Sequence, residues 1–460
     1  MHECRYKRLL YNLHLMISGK NKAVIFFATL LIAGCSVKKN NFFSRNYHNT
    51  TAHYNGYYNG RLKMKDAVDK LASQHTDKYD RILSVFKYAD GQKAKSIFGD
   101  MDEVIKKSSL VITRHSMNIK GVEHCRWIDD NWLLIGKAEF FKHDYFSAIE
   151  TFEYVSATYP EESSKYEALL WLTQTNIALT KFSSAEFTLD YLRGEPKFPK
   201  SLRGELEAVF SDFYLQTRQY PQAIEHLEKA VVFAKKRDTK IRYMFILAQV
   251  YQHENQYKKA FKYYSDCIHM NPPYEMGFNA RINRARCFDA NSENSATVKA
   301  ELQKMVKDPN NKEYLDQVYY ALAGISEKEG NQPEEIDYLN KSVAASTANQ
   351  NQKAISYLEL GKIYYAKPDY RKAQAYYDSC ITNLSNDHPD YTDILQLRNS
   401  LTKLIKNLNT IASEDSLQGL AKMSDAERTK LAENVIKKED EERRKKEEEE
   451  KAQQVNQIFN

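Results

Sequence analysis

A small residue recurs along this chain at a spacing that a single folded core does not require. Ala148, Ala185, Ala223 and Ala260 stand 37, 38 and 37 residues apart; Thr297 and Glu335 take the next two places, and Ala373 closes the series. Three residues before these positions lie Tyr145, Phe182, Tyr220, Tyr257, Asn294, Gln332 and Tyr370. The two departures from an aromatic fall in the two units that have also lost the small residue. A fixed period of this length marks a stacked array. Apolar positions inside the units follow helical spacing, as at Ala168, Trp171, Leu172 and Thr175. Each unit therefore reads as two antiparallel helices, brought close by the small residue and covered at the turn by the aromatic. One such hairpin cannot bury its apolar face alone, so neighbours must stack. Composition agrees. With 15 Gly and 10 Pro in 460 residues, the chain is poor in the turn-formers of an all-β fold. A hydrophobic content of 42% suffices for a core.

The best unit carries Trp132, Ile135, Gly136, Ala148, Phe152 and Pro160. These residue types at these offsets resemble the tetratricopeptide pattern, with one departure at Glu139, where Tyr is usual. Leu247, Ala248, Tyr251, Ala260, Tyr264 and Pro272 form a second unit, and Leu360, Gly361, Tyr364, Ala373 and Tyr377 a third. The resemblance implies an all-α fold: a right-handed tetratricopeptide superhelix of seven hairpins over residues 121–405. Residues 36–120 are expected to form a helical cap and residues 406–460 a charged tail, partly helical or disordered.

Residues 23–33 (AVIFFATLLIA) form an apolar run with Lys20 and Lys22 before it and Gly34-Cys35 after it. A basic start, a short apolar stretch and a small-residue exit make a secretory signal over residues 1–35. Residues 31–35 (LIAGC) resemble a bacterial lipobox, which implies acylation of Cys35 and a lipid anchor in a membrane. Met16 is the expected true start, since it gives a signal of ordinary length. Cys125, Cys267, Cys287 and Cys380 show no metal spacing and read as small packing residues; Cys267 with Cys287 is the one pair worth testing for a disulfide.

In the cap, Tyr47, Tyr54 and Tyr58 share a helical face, residues 82–86 look extended and residues 101–117 helical. His48, His53, His75 and His115 show no ligand spacing. Residues 437–451 (KKEDEERRKKEEEEK) alternate in charge without an apolar stripe, which suits a solvated helix or a docking arm more than a coiled coil. No phosphate loop, dinucleotide fingerprint, zinc helix or nucleophile elbow is present. The pairs Asp129-Asp130 and Glu161-Glu162 stand at expected helix starts, where carboxylates favour the dipole. A net charge of +6 is too balanced to imply nucleic acid. No catalytic residue, cofactor, metal or small-molecule substrate is expected.

Three further stretches, residues 47–60 (YHNTTAHYNGYYNG), 82–88 (ILSVFKY) and 114–117 (RHSM), resemble landmarks of the PorW/SprE family. These are tetratricopeptide lipoproteins of the type IX secretion system in Bacteroidota, where the system also supports gliding. The resemblance implies a scaffold at the periplasmic side of the outer membrane. Its implied partners are secretion ring or motor parts and the outer-membrane translocon. Members of the family usually continue well beyond the repeats, so this chain departs from them after its charged segment. Other readings stay open at this stage: a glycan-binding uptake lipoprotein of the starch-binding type, an outer-membrane assembly lipoprotein, or an enzyme with an unrecognised site marked by a deep polar pocket and a shifted carboxylate.

Overall fold

The computed structural model describes residues 36–88, 91–289, 295–386, 388 and 391–458. The signal segment, Cys35, Asn294 and Pro389 lie outside the described residues. The chain divides into two compact units, Met1–Phe288 and Asp289–Asn460.

The first unit opens with α1 (Phe42–Thr51), which runs through a π turn (Ala52–Tyr57) into α2 (Tyr58–Ser73). A segment without regular structure follows. Then come α3 (Gly91–Ala94), a 3-10 turn (Lys95–Ile97) and α4 (Phe98–His115). Ser44, His48, Ala52, Gly56, Gly60 and Met64 form a buried row through α1, the π turn and α2, one every four residues, and Ala67 and Leu71 extend it. The small residues of this row let the helix approach α4 very closely: a Cβ at Gly56 would stand 1.9 Å from Cγ2 of Val111. The strands β1 (Asn118–Ile119) and β2 (Val122–Glu123) form a two-residue hairpin. Its turn needs positive φ at both centres, met by Lys120 (54°) and Gly121 (83°).

The hairpins follow. In the first unit they are α5 (Ile128–Phe141) with α6 (Tyr145–Thr158), α7 (Ser163–Ala178) with α8 (Phe182–Gly194), α9 (Arg203–Gln216) with α10 (Tyr220–Phe233), and α11 (Arg237–His253) with α12 (Tyr257–His269). Helix α13 (Tyr274–Arg286) ends this unit and α14 (Ser295–Lys307) begins the second. There α15 (Leu315–Lys328) pairs with α16 (Gln332–Ala345), and α17 (Gln350–Ala366) with α18 (Tyr370–Asn383). Two long helices, α19 (Tyr391–Lys422) and α20 (Asp425–Ile458), complete the chain.

The aromatic positions of the sequence period are the first residues of second helices: Tyr145, Phe182, Tyr220, Tyr257 and Tyr370. Three residues on, Ala148, Ala185, Ala223, Ala260 and Ala373 are all fully buried. One turn further, Phe152, Leu189, Leu227, Tyr264, Leu339 and Tyr377 are buried as well. The fifth unit corrects the register by one residue. Thr297 is exposed, and Val298, Leu302 and Met305 are buried in its place, with the helix opening at Ser295. The steps then alternate 37 and 38 throughout.

The turns share one construction. His143, Thr180, Arg218, Asn255 and Gly330 each take positive φ two residues before the next helix. The following amide bonds back to a carbonyl five residues earlier, as from Lys181 to Asn176, Gln219 to Tyr214 and Gln256 to Tyr251, each at 2.8 Å. This six-to-one bond closes the first helix. The same residue then caps the second where it is Asp or Asn: Asp144, Asn331 and Asp369 accept from the backbone amide three residues on.

Two expectations change. The cap is not helical throughout, because residues 74–88 and the β-hairpin interrupt it. The boundary set at residue 405 falls inside α19, and the described tail is helical to Ile458. Many Glu and Lys neighbours at helical spacing support such a solvated helix.

Gly56→Ala is expected to destabilise the first unit by about 1–3 kcal/mol through overpacking against Val111. Gly56→Ala combined with Val111→Ala is expected to recover a good part of that loss, because the added methyl fills space just vacated. Denaturant unfolding of the two variants checks both.

Candidate protein-binding groove

In a stack of this kind the first helices line the broad inner face that takes extended partners. In the first unit that face is already occupied. Residues 77–88, the nonhelical segment of the cap, lie along it as a strap. Within ILSVFKY the side chains alternate as in a strand: Leu83 and Val85 are buried, Ser84 is exposed, and Ile82 and Phe86 are half-buried. Leu83 and Val85 join a core with Ala208, Ile241, Phe245, Ala248 and Val250. Tyr79 meets Phe245 edge-on at 5.5 Å between ring centres.

Polar side chains of the first helices fix the strap's register. Gln249 of α11 reads the strap backbone in both senses: its oxygen accepts from the Leu83 amide at 2.9 Å, and its nitrogen donates to the Arg81 carbonyl at 2.8 Å. Arg242, two turns earlier on the same face of α11, donates to both carboxylate oxygens of Asp77 at 2.8 and 2.9 Å. It also donates to the Ser84 carbonyl at 2.7 Å. Burial pushes Asp77 up, but the Arg242 hydrogen bonds and charge, with Lys87 and His75, bring its carboxyl below the usual range. On α9, Asp212 accepts a backbone hydrogen bond from Val85 and a side-chain one from Gln216; burial outweighs both and pushes it up to about 7. Further on, Tyr88 donates to the Gln174 side chain of α7 and packs edge-on against Phe140 of α5 at 5.0 Å. The strap thus runs from α11 back to α5, against the order of the hairpins.

The same helices carry a charged cluster. Lys137 pairs with Glu167. Burial and the Glu167 charge push Glu205 up to about 7, and burial with Asp129 and Glu167 does the same for Asp130. These shifted carboxylates were not recognisable in the sequence. They lie on two helices, α5 and α9, with Glu167 of α7 between them, and sit among repeat-packing residues.

The residues matching the tetratricopeptide pattern are structural. Gly136 and Gly361 let their partner rings approach: a Cβ would lie 2.6 Å from Phe152 at the first and 3.2 Å from Tyr377 at the second. Trp132 packs on Tyr154, Tyr364 on Tyr376, and Pro160 lies in the exposed loop after α6. Tyr251 and Tyr264 are buried and donate to Glu228 (2.6 Å) and Gln252 (2.9 Å). Cys125, Cys267, Cys287 and Cys380 are buried thiols, so Cys267 and Cys287 are not joined by a disulfide. Cys267 and Cys380 occupy the same position of their units, seven residues after Ala260 and Ala373. Sequence spacing missed one histidine contact: Nδ1 of His48 lies 2.9 Å from Nδ1 of His115. His53 stacks on Trp127 at 4.0 Å, and His75 contacts Asp77 at 3.1 Å.

The tetratricopeptide-repeat family profile matches residues 241–274 and 354–383, that is, α11 with α12 and α17 with α18. The chain carries tetratricopeptide repeats. Its hairpins therefore form a protein-interaction scaffold. Among solved structures it is similar to a tetratricopeptide repeat protein from Parabacteroides merdae, at 15% identity over 59% of this chain and 98% of that one, with a TM-score of 0.39. It is also similar to the C-terminal part of a repeat protein from Cytophaga hutchinsonii, at 14% identity over 66% and 99% with a TM-score of 0.35. A third is a signal-transduction ATPase with a tetratricopeptide sensor from Pyrococcus horikoshii, at 15% identity over 70% and 49% with a TM-score of 0.35. No curated protein matches the chain.

Arg242→Ala strands Asp77 in a buried site and is expected to cost about 3–5 kcal/mol, with faster amide exchange over residues 77–88 as the direct readout. Asp212 gives stability an inverted pH response. An unfolded aspartate loses its proton near about 4, whereas folded Asp212 keeps it up to about 7. The folded state binds more protons between these values, so stability falls as pH rises through that window. In Asp212→Asn the drop in melting temperature between pH 5 and pH 8 is expected to shrink.

Proposed function

We propose that this chain is a non-enzymatic, lipid-anchored scaffold of the type IX secretion system. It faces the periplasm from the outer membrane, is anchored through Cys35, and supports protein secretion and, in gliding species, motility. One observation carries the reading. The three stretches that resemble the PorW/SprE landmarks each hold a defined place in the cap. Residues 47–60 run from the end of α1 through the π turn into α2 and pack on α4, and residues 114–117 span the end of α4 and the exit from it, where His115 meets His48 and Met117 is fully buried. Residues 82–88 form the second half of the strap. The words that set this chain apart from a generic repeat array are thus the ones that build its cap and fill its groove. With that groove occupied in cis, ring, motor or translocon partners engage other surfaces of the scaffold.

Deletion of the gene followed by analysis of the secreted proteins tests the role. Type IX cargo is expected to remain with the cells; normal export of that cargo overturns the reading. Cys35→Ser is expected to abolish acylation, read by incorporation of labelled fatty acid, and continued labelling removes the anchor from the proposal.

A further inference from the structure

From Ser36 to Lys65 the chain carries six Lys or Arg residues and not one Asp or Glu. The helix of α1 and α2 uses its small residues to pack on α4, and so holds its opposite face outward. That outward face is aromatic and apolar. Phe42 (66% exposed), Phe43 (62%), Tyr47 (47%), Tyr54 (63%), Tyr58 (53%) and Leu62 (45%) lie along it. Lys38, Lys39, Arg45 and Arg61 are exposed beside them. The acids nearest this face, Glu123 and Glu162, come from neighbouring elements and border one side of it beside Phe42, Arg45 and Tyr54. Apolar rings flanked by cations suit the headgroup region of a bilayer, where Tyr and Phe sit at the boundary and Lys and Arg meet phosphate. The chain outside the described residues supplies the second argument. Cys35, the proposed site of the lipid anchor, stands only three residues before Lys38.

We infer that the outer face of α1 and α2, over residues 42–62, seats on a phospholipid bilayer in the plane of its surface. This deepens the anchoring reading: the anchor holds the chain to the membrane, and the aromatic face sets its orientation there. The close fit of Gly56 and Val111 gives the face a rigid backing. The π turn keeps the row of small buried residues, spaced by four, turned toward α4. The other cations of the stretch are already engaged, Lys63 with Asp100 and Glu103 and Lys65 with Asp69. The outward charge therefore comes mainly from Lys38, Lys39 and Arg45, with Arg61 exposed but hydrogen-bonded to Tyr57.

The test uses the full, acylated protein carrying Phe43→Trp, reconstituted into phosphatidylethanolamine–phosphatidylglycerol vesicles with shallow-brominated chains. The unsubstituted protein supplies the background of Trp127, Trp132 and Trp171. A face buried by about 5–10 Å places the new indole beside the bromines, with about twofold quenching of its emission expected. Vesicles of phosphatidylethanolamine alone are expected to quench less, because the cations lose their anionic partners. Protein that floats with the vesicles but whose new indole stays unquenched overturns the docking and leaves the anchor standing, giving the face to a protein partner. Protein that fails to float overturns the anchor and the docking together.

Discussion

A buried guanidinium must be matched donor for donor, and in this protein Arg242 is the group so matched. Its side chain and that of Asp77 are only 7% and 8% exposed. Removing both charges from water is expensive, and the attraction between them alone does not reliably offset it. What makes the pair workable is the additional bonding of Arg242 to the Ser84 carbonyl. That bonding ties the ion pair to the backbone of the strap and so fixes where Leu83 and Val85 enter the core. Gln249, with one hydrogen bond on each side of residue 82, prevents a slip by one residue, which would turn the apolar side chains outward. The inner faces of α9 and α11 are buried because the strap is held in this register.

The hairpins themselves need no such long-range device. Each turn closes one helix with a positive-φ residue and a six-to-one bond, then opens the next at a fixed distance. The small residue therefore always arrives at the same height on its neighbour. This local construction is why the period was readable without a structure. Cys267 and Cys380 show the same logic: they match in position because both fill the same packing site, and burial pushes both thiols up. The register slipped only in the fifth unit, where Val298 fills the small-residue site and no alanine marked it.

The groove was less legible, for a physical reason. The strap meets α11 across 158 to 168 residues of sequence, and no local pattern encodes that pairing. Two signals were nevertheless present. ILSVFKY alternates as a strand within an otherwise helical chain. Helix α11 is buried at every position from Ile241 to Tyr251, and a helix that is closed all round must be covered on a face that a repeat stack leaves open. Arg242 and Gln249 inside that apolar surface, and Asp212 on α9, are the polar groups such a cover would need. Reading the alternation and the all-round burial together points to the strap; reading the repeat alone predicts an open groove.

The strap also changes how the first unit holds together. In a plain solenoid each repeat touches only its neighbours, so stability is a sum of local terms and ends can fray independently. Here a segment ahead of the first hairpin is bonded to the fourth. Opening α11 and α12 must break the Arg242 clamp, and opening the cap must strip Leu83 and Val85 from the same core. Both ends of the stack therefore lose contacts together, which joins cap and hairpins into one cooperative body. The contacts that do this are of high sequence separation and form only after the intervening helices have stacked. Filling the groove in cis thus exchanges a binding surface for rigidity, and a rigid body is what a helix seated on a membrane needs if its orientation is to be passed on to the hairpins that follow.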